Sequence, residues 1–354
     1  MKICVVGSGA IGGSLAVWLA HADNEVTVVA RGENLRAIRD RGLRLIDQSG
    51  AHALSARVRA VETPAEAGPH DAVILAVKAN QLAPISDALE CLLHDDSMLV
   101  PMQNGIPWWY FQRHGGELEG RVVHAVDPDG RLARAVDPAR IVGCVVYPAA
   151  ELAAPGVIRH VEGTRFPLGE LDGSASDRVA ALARTFEAAG LKAPVLADIR
   201  AEIWLKLWGN LCFNPISALT HATLAEICEF PQSRALARNM MLEAEAIANR
   251  LGVQFRVGID RRIAGAERVG AHKTSMLQDI ETGREPEIDA LLGSVIELGR
   301  LTATPTPALD TVYACVKLLT KVMVQQGYGV RGQRAAAPTK NAAPPRGEVL
   351  PVAG

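Results

Sequence analysis

Lys206, Asn210 and Asn214 stand four residues apart in an otherwise apolar stretch, Lys206-Leu207-Trp208-Gly209-Asn210-Leu211-Cys212-Phe213-Asn214-Pro215. On a helix, positions i, i+4 and i+8 share one face, so an amine and two amides would form a polar stripe about 12 Å long. Burying such a stripe without partners is costly. With Leu205, Leu207, Leu211, Phe213 and Ile216 filling the other sides, the stripe is expected to line a cleft. The chemistry it suggests is proton donation to a polarised oxygen. Neighbours tune a lysine's proton affinity, and uncharged amides orient a substrate without neutralising it. A structural lysine, snorkelling or salt-bridged, is the competing reading. Pro215 cannot donate to the Leu211 carbonyl, so the helix is expected to kink or loosen there.

A second constellation lies at the other end of the chain. Gly7-Ser8-Gly9-Ala10-Ile11-Gly12 is a G-x-G-x-x-G sequence placed between an apolar β run and a helix. In that context it is a dinucleotide fingerprint. Gly7 permits the tight turn, Gly9 lets backbone approach a pyrophosphate, and Gly12 allows close helix packing, with the helix N-terminus facing the phosphates. The second β run ends in Ala30-Arg31-Gly32, where NAD sites usually carry an acidic residue. Arg31 suits a 2′-phosphate, so NADP(H) is expected over NAD(H). Lys78 and Asn104 follow two further apolar runs, at strand ends that face the ligand crevice in such sheets. A third cluster spans Ser275 to Asp289. Ser275 fits a helix cap, and Glu287, after Pro286, fits a first helical turn. Glu287 is equally placed to hydrogen-bond a substrate hydroxyl. Trp108-Trp109-Tyr110 reads as packing or as a wall of the site.

The elements that must position these residues change character along the chain. Strand-like runs over 2–6, 25–30, 71–77 and 97–102 alternate with helical patterns over 10–22, 34–41 and 81–93. Residues 43–61 read as strands with turns. Nearly continuous apolar runs such as DAVILAV fit parallel strands covered on both faces, and the alternation predicts a doubly wound sheet. Short β runs over 122–171 suggest an antiparallel extension, followed by a helix (177–189) and a strand (193–196). Beyond residue 197 the β signal nearly vanishes, and helical patterns cover 199–219, 232–251, 285–301 and 305–326. The expected organisation is a nucleotide-binding Rossmann-type α/β domain (1–197), an all-α substrate domain (198–330) and a disordered tail (331–354).

Composition narrows the function classes. The formal charge of −2 over 354 residues, without a basic run, argues against nucleic acid. Six cysteines without a C-x-x-C pair read as reduced thiols of a cytoplasmic protein. No histidine spacing suggests a metal site, and no apolar run suggests a membrane span.

KICVVGSGAIGG, VKANQ, QNG, IRAEIWLKLWGNLCFNPISALT and SMLQDIETGREPEID together resemble the ketopantoate reductases (2-dehydropantoate 2-reductases), from residue 1 to about 326. The architecture is that shared with 6-phosphogluconate dehydrogenases. The resemblance implies NADPH-dependent reduction of 2-dehydropantoate to (R)-pantoate, a step towards pantothenate and coenzyme A. It implies that Lys206 is the general acid and that Glu287 and Asn210 position the substrate. Asn214 would support the site, Ser275 would bind the carboxylate, and Asn104 would lie on the nicotinamide and substrate side. Arg31 and Lys78 would face the NADP phosphate. Two other readings stay open: a reductase of the same fold for another branched 2-oxo acid, and a non-catalytic NADP-binding sensor. The oligomeric state is open, with a homodimer as the expectation carried forward.

Overall fold

The computed structural model describes residues 1–326, so the tail expected over 331–354 lies outside the described residues. Five strands, β1 (Lys2–Val6), β2 (Glu25–Val29), β5 (Arg59–Val61), β6 (Ala72–Leu75) and β7 (Met98–Pro101), form a parallel sheet in the order β5-β2-β1-β6-β7. Side chains alternate between two cores, as the two-residue period of a strand requires. Ile3 and Val5 pack with Leu15 and Leu19, whereas Cys4 and Val6 pack with Val73 and Leu99 on the opposite face. The strand order reverses between β1 and β6, which is where such sheets open a crevice for a ligand.

Helix α1 (Ala10–His21) starts directly after the glycine cluster, and α2 (Gly32–Arg41) directly after Arg31. Strands β3 (Leu43–Ile46) and β4 (Ala53–Ala56) belong to a second sheet with β9 (Ala149–Ala154) and β10 (Val157–Glu162), in the order β4-β3-β10-β9. The antiparallel extension expected from the sequence is therefore mixed. β10 runs antiparallel to β9 but parallel to β3. This sheet packs on α1, where Ile158 lies so close that a Cβ on Gly13 would meet its Cδ1 at 2.7 Å. β8 (Val142–Cys144) pairs with β11 (Leu168–Glu170), while α3 (Pro64–Ala67) and α4 (Arg131–Ala135) are single turns. Helix α5 (Asp177–Ala188) is capped by Ser176, whose side chain accepts from the Val179 amide.

Two expected elements differ. Residues 81–93 form 3-10 turns (Ala79–Gln81, Ala83–Ala88 and Glu90–Leu92), not an α-helix. Ser86 Oγ donates to the Ala83 carbonyl at 2.9 Å, a local bond that competes with the α-helical ladder. In place of the strand expected over 193–196, Lys192 and Val195 make isolated bridges. Pro194 has no amide to continue a ladder.

Beyond Asp198, which caps it, α6 (Ile199–Thr220) runs unbroken through Pro215 to a left-handed His221. Around it lie α7 (Leu224–Glu229), α8 (Pro231–Arg250), α9 (Ile259–Val269), α10 (Ser275–Glu281), α11 (Ser294–Leu301) and α12 (Pro307–Gln326). α8, α10 and α12 pack directly on α6. Trp208 fixes the α6–α8 contact by donating Nε1–H to the Met241 carbonyl at 2.8 Å, and its ring stacks on Phe255. The sequence reading lacked α7 and α9. It also ran one helix through 285–301, where the structure has a π turn over Asp289–Gly293 leading into α11. The apolar core on one face of the parallel sheet is continuous with the core around α6. No helix among the described residues is long and apolar enough to cross a membrane.

Candidate active site

Four strand ends, those of β1, β2, β6 and β7, build the floor of the site. After β1, Gly7 adopts φ +103°, and a Cβ there would meet Val77 Cγ1 at 2.7 Å. A Cβ on Gly12 would lie 1.9 Å from the Gly7 carbonyl oxygen, so only glycine lets α1 approach the turn this closely. Gly9, by contrast, has open space before it, and it caps α1 without any side-chain bond. The free amides of the first helical turn, from Ala10 and Ile11 on, and the open space at Gly9 fit a pyrophosphate. Ser8 is buried, and its carbonyl and hydroxyl both bond the Asn34 side-chain amide, at 2.7 Å for the carbonyl. Asn34 also accepts from the Gly156 amide at 2.7 Å, so it ties the loop to the second sheet. The sequence reading missed Asn34, whose partners lie far away in sequence.

Arg31 stands at the end of β2 as the exposed N-cap of α2, with no side-chain partner among the described residues. Its guanidinium is therefore available to a 2′-phosphate. Lys78 is engaged elsewhere. Its Nζ pairs with Asp279 at 2.8 Å and donates to the Glu285 carbonyl at 2.8 Å. The same loop bonds the helical half twice more, through Asn80 to Glu285 (3.1 Å) and through the Ala79 amide to Glu287 Oε1 (3.0 Å).

The end of β7 carries Gln103 and Asn104. Gln103 donates to the Leu75 and Val77 carbonyls at 2.8 and 2.9 Å, locking the β6 and β7 ends together. Gly105 (φ +87°) lies against the π turn, where the Ile106 amide donates to the Ala290 carbonyl at 3.1 Å. That contact delivers Asn104 to Lys206. Nζ of Lys206 donates to Asn104 Oδ1 at 2.5 Å and to the Val146 carbonyl. Asn104 also bonds Glu287, so Lys206, Asn104 and Glu287 form one chain across the cleft.

Lys206 and Asn210 line a pocket with Asn104, Trp109, Cys144 and Val146. Among the described residues the lysine has no carboxylate within salt-bridge distance. Burial lowers its pKa to about 8, against the pull of Glu287 and the Cys144 thiol. Burial raises the Glu287 carboxyl, opposed chiefly by the Ala79 amide and Lys78. The Asn210 amide has no hydrogen-bond partner among the described residues, which leaves it free to orient a ligand. Asn214 is buried one turn further along and does not line the pocket. Ser275 is not the cap. Thr274 caps α10 by accepting from the Leu277 amide at 3.3 Å, and Ser275 is the exposed first helical residue. Either hydroxyl has the right chemistry, so adjacent Thr and Ser cannot be told apart by composition. The pocket beside Lys206 is narrow and partly open to solvent.

The profile described as ketopantoate reductase PanE/ApbA matches residues 3–173, and that of its C-terminal part matches 198–320. A 2-dehydropantoate 2-reductase of Mesorhizobium japonicum is 56% identical over 320 residues, covering 90% of this chain and 98% of the relative. The chain belongs to the ketopantoate reductase family. Among solved structures, a Ralstonia solanacearum protein assigned to the ketopantoate reductases is 40% identical with a TM-score of 0.86, covering 91% of this chain and 98% of that one. A Ralstonia eutropha ketopantoate reductase is 27% identical, with a TM-score of 0.78. The two matched stretches are separated by residues 174–197. Both halves of the site described above thus lie within the matched residues.

Proposed function

We propose that the protein reduces 2-dehydropantoate to pantoate with NADPH, and that Lys206 supplies the proton. The observation that carries the assignment of roles is the arrangement around Lys206. A half-buried ammonium, held by neutral acceptors among the described residues, lines with the free amide of Asn210 a pocket between the sheet ends and α6. When bound, NADPH delivers a hydride to the C2 ketone. The ketone oxygen gains negative charge as this happens, and a preoriented ammonium favours that charge and then gives up its proton. Glu287 and Asn210 would hold the substrate's hydroxyl and carbonyl, Ser275 would meet its carboxylate, Asn104 would align Lys206, and Asn214 would support the stripe from below. Gly7, Ser8, Gly9, Ala10, Ile11 and Gly12 would cradle the pyrophosphate. Lys78 would reach the nucleotide only by leaving Asp279. Residues 1–197 would thus serve the nucleotide and the helical part from 198 the substrate.

The test is NADPH oxidation by purified protein with 2-dehydropantoate against a panel of other branched 2-oxo acids. A clear kcat/KM preference for 2-dehydropantoate is the expected result; a preference for another acid would overturn the substrate. Arg31→Glu should shift the NADPH-to-NADH ratio of kcat/KM towards NADH by roughly ten- to a hundredfold, the loss of one charge-assisted contact. An unchanged ratio would refute Arg31 as the selector.

The pH dependence follows from the acid form of Lys206. Its pKa lies at about 8, so kcat/KM for reduction should hold below that pH and fall above it, as the ammonium is lost. Pantoate oxidation needs the neutral amine and should rise over the same interval. A reduction profile flat to pH 10 would contradict the assignment. A cytoplasmic homodimer completes the proposal. All six cysteines are unpaired, and a dimeric ketopantoate reductase of Staphylococcus aureus shares the fold, with 21% identity and a TM-score of 0.68. Sedimentation of the purified chain tests the dimer.

A further inference from the structure

Glu202 precedes Lys206 by one helical turn, on the same face of α6. At that spacing a glutamate and a lysine ordinarily reach each other, and Glu before Lys is the favourable order. Here they do not pair. Glu202 Oε1 accepts from the Tyr147 hydroxyl at 2.8 Å and from Arg165 Nη1. Arg165 in turn lies over the Tyr147 ring, 4.9 Å from its centroid, and the Tyr147 amide donates to the Arg165 carbonyl at 3.1 Å. Tyr147 follows Val146, whose carbonyl is one of the two acceptors on Lys206. The Glu202 side chain is 12% exposed, so its carboxylate is held inside this cluster. The titratable groups that do face Lys206 are Glu287 and Cys144.

We propose that Arg165 and Tyr147 are positioning residues that keep the Glu202 carboxylate away from Lys206, leaving the ammonium on Asn104 and Val146 and free to give its proton. The inference rests on Lys206 being the proton donor. Its physical content is a competition. Glu202 is the nearest carboxylate along α6, and an ion pair with Lys206 would stabilise the ammonium and draw it along the helix, away from the pocket. Arg165 wins the carboxylate with a charge-assisted bond, and the tyrosine hydroxyl adds a second.

The experiment is the pH profile of kcat/KM for wild type, R165A, E202Q and R165A/E202Q. R165A should move the alkaline limb up by about one pH unit, as an opposite charge placed close to an amine does, and lower kcat at neutral pH several-fold. E202Q should leave the limb near the wild-type position. The double variant should return the limb towards wild type, because residue 202 no longer carries a charge to capture the lysine. A limb unmoved in R165A, or moved equally in R165A/E202Q, overturns the proposal. Should R165A not fold, R165M, which keeps the apolar stem but not the charge, with its own E202Q partner gives the same comparison. Full turnover in Lys206→Ala would instead remove the underlying reading, so the two failures are distinct.

Discussion

Lys206→Ala lowers kcat/KM for 2-dehydropantoate by about 10²–10⁴-fold, the usual worth of a general acid, with NADPH affinity unchanged. The nucleotide cradle and Arg31 lie at the ends of β1 and β2, away from the lysine's own partners Asn104 and Val146. The stability change is small in comparison, because the substitution removes a charge that burial already disfavours. Lys206→Arg is the sharper companion. It keeps a cation on α6 but cannot release its proton in the accessible pH range. Loss of turnover in both variants assigns proton transfer to Lys206; restored turnover in the arginine variant would reduce its role to electrostatics. Stopped-flow reduction at saturating NADPH, with fluorescence titration of the nucleotide, makes both measurements.

Gly105→Ala has the second large effect. The new Cβ would lie 2.0 Å from the Ala290 carbonyl oxygen, at a backbone φ of +87° that disfavours any side chain. Overpacking costs about 1–3 kcal/mol, and the positive φ adds about 1–3 kcal/mol. Thermal unfolding should show a fall in Tm of several degrees. Activity should fall further than stability, because the π turn must retreat and Asn104 moves with Gly105. A variant with lowered Tm and unaltered kcat/KM would show that Asn104 does not need this contact to align Lys206.

The parts of the site legible in the sequence are those whose requirement is local. Gly7 and Gly12 are read from the chain because the turn and the helix they serve are their own neighbours. Lys206 and Asn210 are read because helix period alone puts them on one face. What the sequence withheld is partnership. Lys206 finds Asn104 and Val146 from distant parts of the chain, and no spacing rule encodes such contacts. The same holds for Asn34 under Ser8 and for Lys78, whose strand-end position suggests phosphate while its charge meets Asp279. The stretch 285–301 is helical from Ile288 onward, but its first part is a π turn, for a different reason. A π turn differs from an α turn by one hydrogen-bond register, and an apolar run such as Ala290-Leu291-Leu292 satisfies either. The 3-10 turns after Lys78 are similarly set by Ser86 and its local bond, against an apolar pattern that alone suits an α-helix.

The π turn carries its own lesson about how such a site is acquired and lost. Five residues, Asp289–Gly293, occupy a turn that α geometry closes with fewer. Deleting any one of them would let the helix close in α register, with α11 in place and every residue before the turn rotated by about 100°. Glu287 would leave the Ala79 amide, and Ala290 would leave Ile106. The fold would survive as a plain helix while the carboxylate faced away from the cleft. One residue more or less in this turn therefore decides whether an acidic side chain faces the cleft.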